Sequence, residues 1–283
     1  MAGTLYIVAT PIGNLEDITL RALRVLKEVD LIACEDTRHT RKFLTHYQIS
    51  QPVVSYHEHN ERERAGELMR KLEAGLSLAL VSDAGTPLIS DPGLNIVRQA
   101  IERRIKVVAV PGPSALITAL SSAGLPTNEF VFAGFLPARP TARKARLQQL
   151  SESKTTLILY EAPHRIKATI EDAREAFGER ECVIARELTK LHEEFLRGRL
   201  SEIEVPEGSA RGEFVVLIGP PLKGRAIETS QATLSVSEQV EQLINAEGLD
   251  QKSALKRVAR ERGIGKSEAY RLMISERARS NKP

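Results

Sequence analysis

Cysteine is scarce in this chain: Cys34 and Cys182 are the only two among 283 residues, and they form no C-x-x-C arrangement. A disulfide framework or a thiolate metal site needs more thiols set closer together, so two reduced, buried thiols are expected. No apolar run approaches the roughly 20 residues that cross a bilayer, so no membrane span or membrane partner is expected. The chain runs from Met1-Ala2-Gly3-Thr4 directly into an apolar stretch without a basic leader segment, and the expected location is the cytoplasm. Two nucleotide signatures are also missing, G-x-G-x-x-G behind the first apolar run and G-x-x-x-x-G-K-[ST] anywhere. A dinucleotide bound in the Rossmann manner and a P-loop nucleotide therefore lose their main support. His57 and His59 have a spacing that suits a metal on a strand, but no third ligand is in view, and no metal is expected.

What the chain does have is apolar content of 42% beside 27% charged residues, enough for a sizeable core in a globular protein. Five apolar runs alternate with five amphipathic stretches over the first 125 residues, which predicts an α/β domain with a mostly parallel sheet at 1–125. Strands predicted at 130–135, 155–160, 182–186, 194–199 and 214–218, with helical stretches at 141–150 and 164–177, make a second α/β domain of mixed sheet at 126–220. Residues 221–235 read as a linker, and 236–283 as a small helical domain with helices at 236–246, 252–262 and 266–279. Residues 252–283 hold ten Lys and Arg against three Glu, a balance of +7; the whole chain carries +3, so the rest holds −4. Such asymmetry suits either a basic appendage that meets a polyanion or a solvated helix face.

Ligands of parallel sheets bind outside the C-terminal strand edges. Four such edges here carry unusual loops: 9–17 (ATPIGNLED), 35–41 (EDTRHTR), 82–87 (SDAGTP) and 111–115 (PGPSA). Small residues allow close backbone approach, Asp83 and Ser114 offer directional polar contacts, and Ile12, Leu88 and Ile89 offer an apolar wall. The phrase Ser-Asp recurs at 82–83 and 90–91. Asp91 with Pro92 suits a helix start, so the first copy is expected to face a ligand and the second to cap the next helix; both are also ordinary turn chemistry. A small adenosine-like cofactor fits such loops better than a dinucleotide.

The runs 6–18 (YIVATPIGNLEDI), 33–40 (ACEDTRHT), 81–93 (VSDAGTPLISDPG) and 111–115 (PGPSA) together resemble the ribosomal RNA methyltransferase branch of the tetrapyrrole methylase superfamily. The resemblance continues through 160–165 (YEAPHR), 185–190 (ARELTK) and 211–215 (RGEFV), and so reaches the linker. It implies a two-domain α/β fold with S-adenosylmethionine folded in the interdomain cleft, and a homodimer. It also implies methyl transfer to the ribose 2′-oxygen of a decoding-centre cytidine in 16S rRNA, within the small ribosomal subunit. Only Gly13 stands where the porphyrin-methylating branch usually carries a glycine-rich loop, which favours RNA as substrate. A tetrapyrrole methylase, or a regulator reading DNA through the C-terminal helices, are the alternatives.

On this reading Pro11, Asp83, Gly85, Thr86, Ile89, Ser114, Ala115, Glu161 and Leu188 are expected to bind the cofactor. Methyl transfer needs in-line positioning, and a base or cation that manages charge on the acceptor oxygen. Glu35, Asp36, Arg38 and Lys190 are the catalytic candidates, with His39, His164 and Glu187 also near the expected cleft. Glu35 and Asp36 equally suit a helix cap. Arg41, Lys42, Arg139, Arg143, Lys144 and Arg146 are expected to meet RNA phosphates, with a solvated helix face as the alternative for the last four.

Overall fold

A computed structural model of the chain describes residues 2–205, 212–222, 235–247, 249–261 and 264–280. Arg211, most of the expected linker, Gly248 and Gly263 lie outside the described residues. The chain divides into two compact units, Met1–Leu222 and Lys223–Pro283. Among the described residues no helix is long and apolar enough to cross a membrane.

The first unit opens with five strand–helix pairs. They are β1 (Thr4–Val8), α1 (Leu20–Glu28), β2 (Leu31–Cys34), α2 (Thr37–His46), β3 (Val53–Ser55), α3 (Glu61–Glu73), β4 (Leu78–Val81), α4 (Leu94–Glu102), β5 (Lys106–Val110) and α5 (Ala115–Ala123). The five strands form one sheet in the order β3-β2-β4-β1-β5, parallel at every pairing. Continuous apolar runs such as β2 and β4, buried at every residue, mark a sheet covered on both faces. Val25 and Leu26 of α1 and Leu44 of α2 cover one face; Leu68, Met69 and Leu72 of α3 and Ile96 of α4 cover the other.

The second half of this unit contains β6 (Phe130–Phe135), α6 (Pro140–Ser151), β7 (Thr156–Glu161), α7 (Ile166–Phe177), β8 (Glu181–Arg186), β9 (Glu194–Arg199) and β10 (Phe214–Ile218). Its sheet runs β6-β7-β10-β8-β9, mixed as expected: β6 and β7 are parallel, the other pairings antiparallel. Successive residues of a strand point to opposite faces, so Leu157, Leu159, Cys182 and Ile184 meet α6 and α7. Ile158, Tyr160, Val183, Ala185, Val215 and Leu217 point the other way, and there they meet Leu116, Ala119 and Leu120 of α5. The last helix of the first half therefore packs on the second sheet, which the strand–helix alternation did not foretell. Both thiols are buried and unpaired.

The second unit, taken by itself, holds α8 (Val236–Glu247), α9 (Gln251–Glu261) and α10 (Lys266–Ser280). They close on Val236, Val240, Leu255, Val258, Ala269 and Met273. Asp250 caps α9 by accepting the Lys252 and Ser253 amides at 2.9 and 3.0 Å.

Candidate active site

The strand-end loops of the first sheet meet the second sheet around a cleft of about 320 Å³. The β1 loop contributes Ile12, the β4 loop Ala84, Gly85, Thr86, Ile89, Ser90 and Asp91, and the start of α5 Ser114 and Ala115. Across from them stand Phe135, Tyr160, the turn Glu187-Leu188-Lys190, and Gly212, Glu213 and Val215.

Local chemistry holds these loops in place. Thr10 and Gly85 exchange two backbone hydrogen bonds of 2.9 and 3.0 Å, and the Ser82 hydroxyl donates to the Gly85 carbonyl at 3.0 Å. Thr86 donates to the Pro113 carbonyl at 3.0 Å, tying the β4 loop to the β5 loop. Gly13 sits where a Cβ would stand 2.6 Å from Lys190 Cγ and 2.8 Å from the Leu188 carbonyl oxygen. Only glycine permits that approach, and beside it the Asn14 amide donates to Thr189 Oγ1 at 3.0 Å. The first loop is thus clasped to the turn behind β8.

Backbone strain gathers at the same place. Leu88, Ser90, Glu187 and Thr189 have φ of 72°, 67°, 50° and 66°, values costly for residues with a Cβ. The left-handed turns at Leu88 and Ser90 reverse the chain so that Asp91 lines the cleft. The expected division of labour between the two Ser-Asp turns is therefore corrected. Helix α4 begins at Leu94 with Gly93 as its cap and no side-chain capping bond, so Asp91 caps nothing and Pro92 lies outside the helix. Asp83 instead turns toward β2, where its carboxylate accepts the Asp36 amide at 3.1 Å. It lines, with Pro11, Thr10 and His39, a separate hollow of about 50 Å³.

Burial, with Glu35 and Glu213 nearby, pushes the Asp91 carboxyl up to about 6. Glu35 is exposed and does not line the cleft, yet burial of its carboxyl and the charge of Asp83 raise it as well. Tyr160 accepts the Leu116 amide at 3.1 Å, stands edge-on to Phe132 and Phe135, and is raised to about 12 by burial. Ser114 makes no side-chain capping bond at the start of α5, where Ser114 and Ala115 line the cleft. Lys190 brings a cation to the cleft, paired with Glu187 at 2.9 Å.

Of the residues expected at a cofactor, Gly85, Thr86, Ile89, Ser114, Ala115 and Leu188 line this cleft, while Pro11 and Asp83 line the neighbouring hollow. Glu161 does neither. It is fully buried, and its carboxylate accepts from Ala162 N at 2.8 Å and Thr169 Oγ1 at 2.6 Å and pairs with Arg165 Nε at 3.0 Å.

Asp36 caps α2, its carboxylate accepting the Arg38 and His39 amides at 2.7 and 3.4 Å, and the Arg38 amide in particular holds its pKa below the usual range. Arg38 folds back onto the same carboxylate at 3.3 Å, with 87% of its side chain exposed. Arg143 is likewise corrected: it is buried against Asp172 at 2.6 Å and joins α6 to α7, out of reach of phosphate. Lys144 is exposed but pairs with Glu175 at 2.7 Å, whereas Arg41, Lys42, Arg139 and Arg146 stand on the surface. His164 is exposed, and His57 is engaged by the Asn60 amide 3.2 Å away. Among the described residues no group of three His, Cys, Asp or Glu side chains is placed to hold a metal ion.

Asp91, Glu213, Phe135 and Tyr160 were not foreseen in the cleft. The two aromatic residues read as strand core, and only the doubled Ser-Asp phrase could have pointed to Asp91.

A family described as tetrapyrrole (corrin/porphyrin) methylases matches residues 4–204. Ribosomal RNA small subunit methyltransferase I of Halalkalibacterium halodurans is 47% identical over 277 residues, covering 97% of this chain and 96% of that protein. The protein of that name from Pseudomonas aeruginosa is 46% identical, covering 99% of both. Among solved structures, uroporphyrin-III C-methyltransferase of Thermus thermophilus complexed with S-adenyl homocysteine shares the fold at a TM-score of 0.53 and 21% identity, over 76% of this chain and 97% of that one.

Proposed function

Because the chain belongs to the tetrapyrrole methylase family, we propose that its cleft binds S-adenosylmethionine and that it methylates the ribose 2′-oxygen of a cytidine in small-subunit ribosomal RNA. The near full-length similarity to proteins named ribosomal RNA small subunit methyltransferase I carries this reading.

The residues of the cleft fit the cofactor. Its volume of about 320 Å³ lies within the range of small-molecule sites, and its walls divide by chemistry. Ile12, Ile89, Leu188 and Val215 exclude water, the start of α5 offers backbone donors, and Asp91 with Glu213 favours positive charge. When bound, the cofactor supplies an electrophilic methyl group on a sulfonium. Lys190 is the cation that would stabilise charge growing on the acceptor oxygen. In this reading Glu35, outside the cleft lining but raised above the usual carboxylate range at the adjoining strand end, takes the hydroxyl proton of an RNA that bridges the two, and Arg41 and Lys42 on the following helix meet RNA phosphate. The reading includes a homodimer, which mass measurement by light scattering checks.

Small subunits from cells lacking this protein, incubated with it and methyl-labelled cofactor, should yield labelled 2′-O-methylcytidine after digestion to nucleosides. Glu35→Gln should lower that turnover at least about a hundredfold and leave cofactor affinity unchanged. Label on a base, or on a tetrapyrrole in place of RNA, would overturn the substrate.

Gly85 tests the cofactor wall. Its φ of 87° is unfavourable for residues with a Cβ, and an added Cβ would stand 3.2 Å from Ile12 Cγ2. Calorimetry on Gly85→Val should show cofactor binding weakened about tenfold, as a strain of ~1–3 kcal/mol at the wall implies. Unchanged affinity would remove the β4 loop from the site.

A further inference from the structure

The helical unit contains a cavity of its own, of about 680 Å³, lined wholly by residues of α9 and α10. Its volume again falls in the range of ligand sites, about 300–1,000 Å³. Lys252, Lys266 and Arg271 line it, and no Asp or Glu does. Lys252 lies within the field of Asp250, the cap of its own helix, and Arg271 Nε donates to the Ser267 carbonyl at 3.4 Å, which leaves the other guanidinium nitrogens and the Lys266 ammonium for a ligand. Tyr270 also lines it with 53% of its surface exposed, while Leu255 and Met273 form a buried apolar floor.

An exposed ring over an apolar floor, with three cations and no carboxylate in its lining, asks for a ligand with flat faces and several negative charges. A duplex offers phosphates but hides its base faces in the stack, and an acidic peptide offers charge without a planar partner for the ring. A single strand offers both, since every base has a face to stack and every linkage carries a charge.

We propose that the groove between α9 and α10 binds single-stranded RNA, with a base stacked on Tyr270 and the flanking phosphates held by Lys252, Lys266 and Arg271. The choice of RNA over DNA rests on the methyl-transfer reading; the stacking groove does not. Three of the ten Lys and Arg of residues 252–283 line this groove.

The test measures fluorescence anisotropy of a labelled, mixed-sequence single-stranded RNA with the full-length protein, at several salt concentrations. Tyr270→Ala should weaken binding about tenfold and Tyr270→Phe should retain it, because the ring and not the hydroxyl stacks. Lys252→Gln and Arg271→Gln should each reduce the slope of log affinity against log salt by about 0.7. Duplex RNA should compete poorly. Wild-type affinity for Tyr270→Ala with native circular dichroism would overturn the proposal, as would a duplex or polyglutamate that competes as well as the single strand. Tighter binding of a single-stranded DNA of the same sequence would overturn the choice of RNA. Methylation of small subunits is scored separately, so loss of the groove and loss of the methyl-transfer reading are distinguishable.

Discussion

Replacing Asp91 with asparagine should stabilise the ligand-free protein and cost it about a hundredfold in affinity for S-adenosylmethionine. The carboxyl sits at about 6, above its ordinary 3.8, because burial and the charges of Glu35 and Glu213 oppose its ionisation. The folded chain therefore keeps a proton that the unfolded chain has released between about pH 4 and pH 6. Stability attributable to Asp91 is fully present below pH 4 and declines as pH rises through 6. Above that the ionised group opposes folding by ~2 kcal/mol, allowing for solvent at a half-buried site.

Asp91→Asn removes this opposition, so urea unfolding should show a gain of that size at pH 7.5 and almost none at pH 4. Calorimetry should show the reverse for the cofactor, whose positive charge loses its carboxylate partner. In the unaltered protein, affinity should fall as pH drops below 6, because binding then has to displace a proton. Equal stability of the two proteins at pH 7.5, or equal cofactor affinity, would remove Asp91 from the cleft's electrostatics.

Glu161→Ala should destabilise the first unit by ~2–3 kcal/mol, because it strips a half-buried cation of its carboxylate and leaves the Thr169 hydroxyl and Ala162 amide without their acceptor. Glu161 has no exposed surface, and its two oxygens serve Arg165, Thr169 and the Ala162 amide. Arg165 also donates to the Leu136 carbonyl at 2.7 Å, so one carboxylate links the end of β7, the start of α7 and the segment after β6. Urea unfolding followed by circular dichroism checks the expectation. A loss under 1 kcal/mol, with cofactor affinity abolished, would restore Glu161 to the binding role that its sequence context suggested.

Much of the first unit was legible because parallel strands buried on both faces leave continuous apolar runs, and the helices between them leave an amphipathic period. The loops at the strand ends were legible for the same reason: they are what remains between runs. Asp91 was not, because its direction is set by left-handed backbone at Leu88 and Ser90, and nothing in a leucine or a serine announces that conformation. Arg143 looked like one of four surface cations until Asp172, twenty-nine residues later, was folded against it. Glu161 was misread in the same manner, since part of its partnership comes from α7. The placement of α5 on the second sheet depends on strands that follow it, whereas periodicity describes only an element's own faces.

Strand β10 is the last strand of its unit in sequence, yet it is hydrogen-bonded between β7 and β8. During synthesis the first sheet is complete once Val110 has left the ribosome, but the second lacks its middle until Ile218 has followed. At ~5–20 residues per second that interval lasts on the order of 5–20 s. For most of it α5 has emerged with its apolar stripe and has only part of a surface on which to lay it. A message truncated between β8 and β10 would therefore yield a product with a finished first sheet, a second sheet without its middle strand and an α5 with only part of its covering surface.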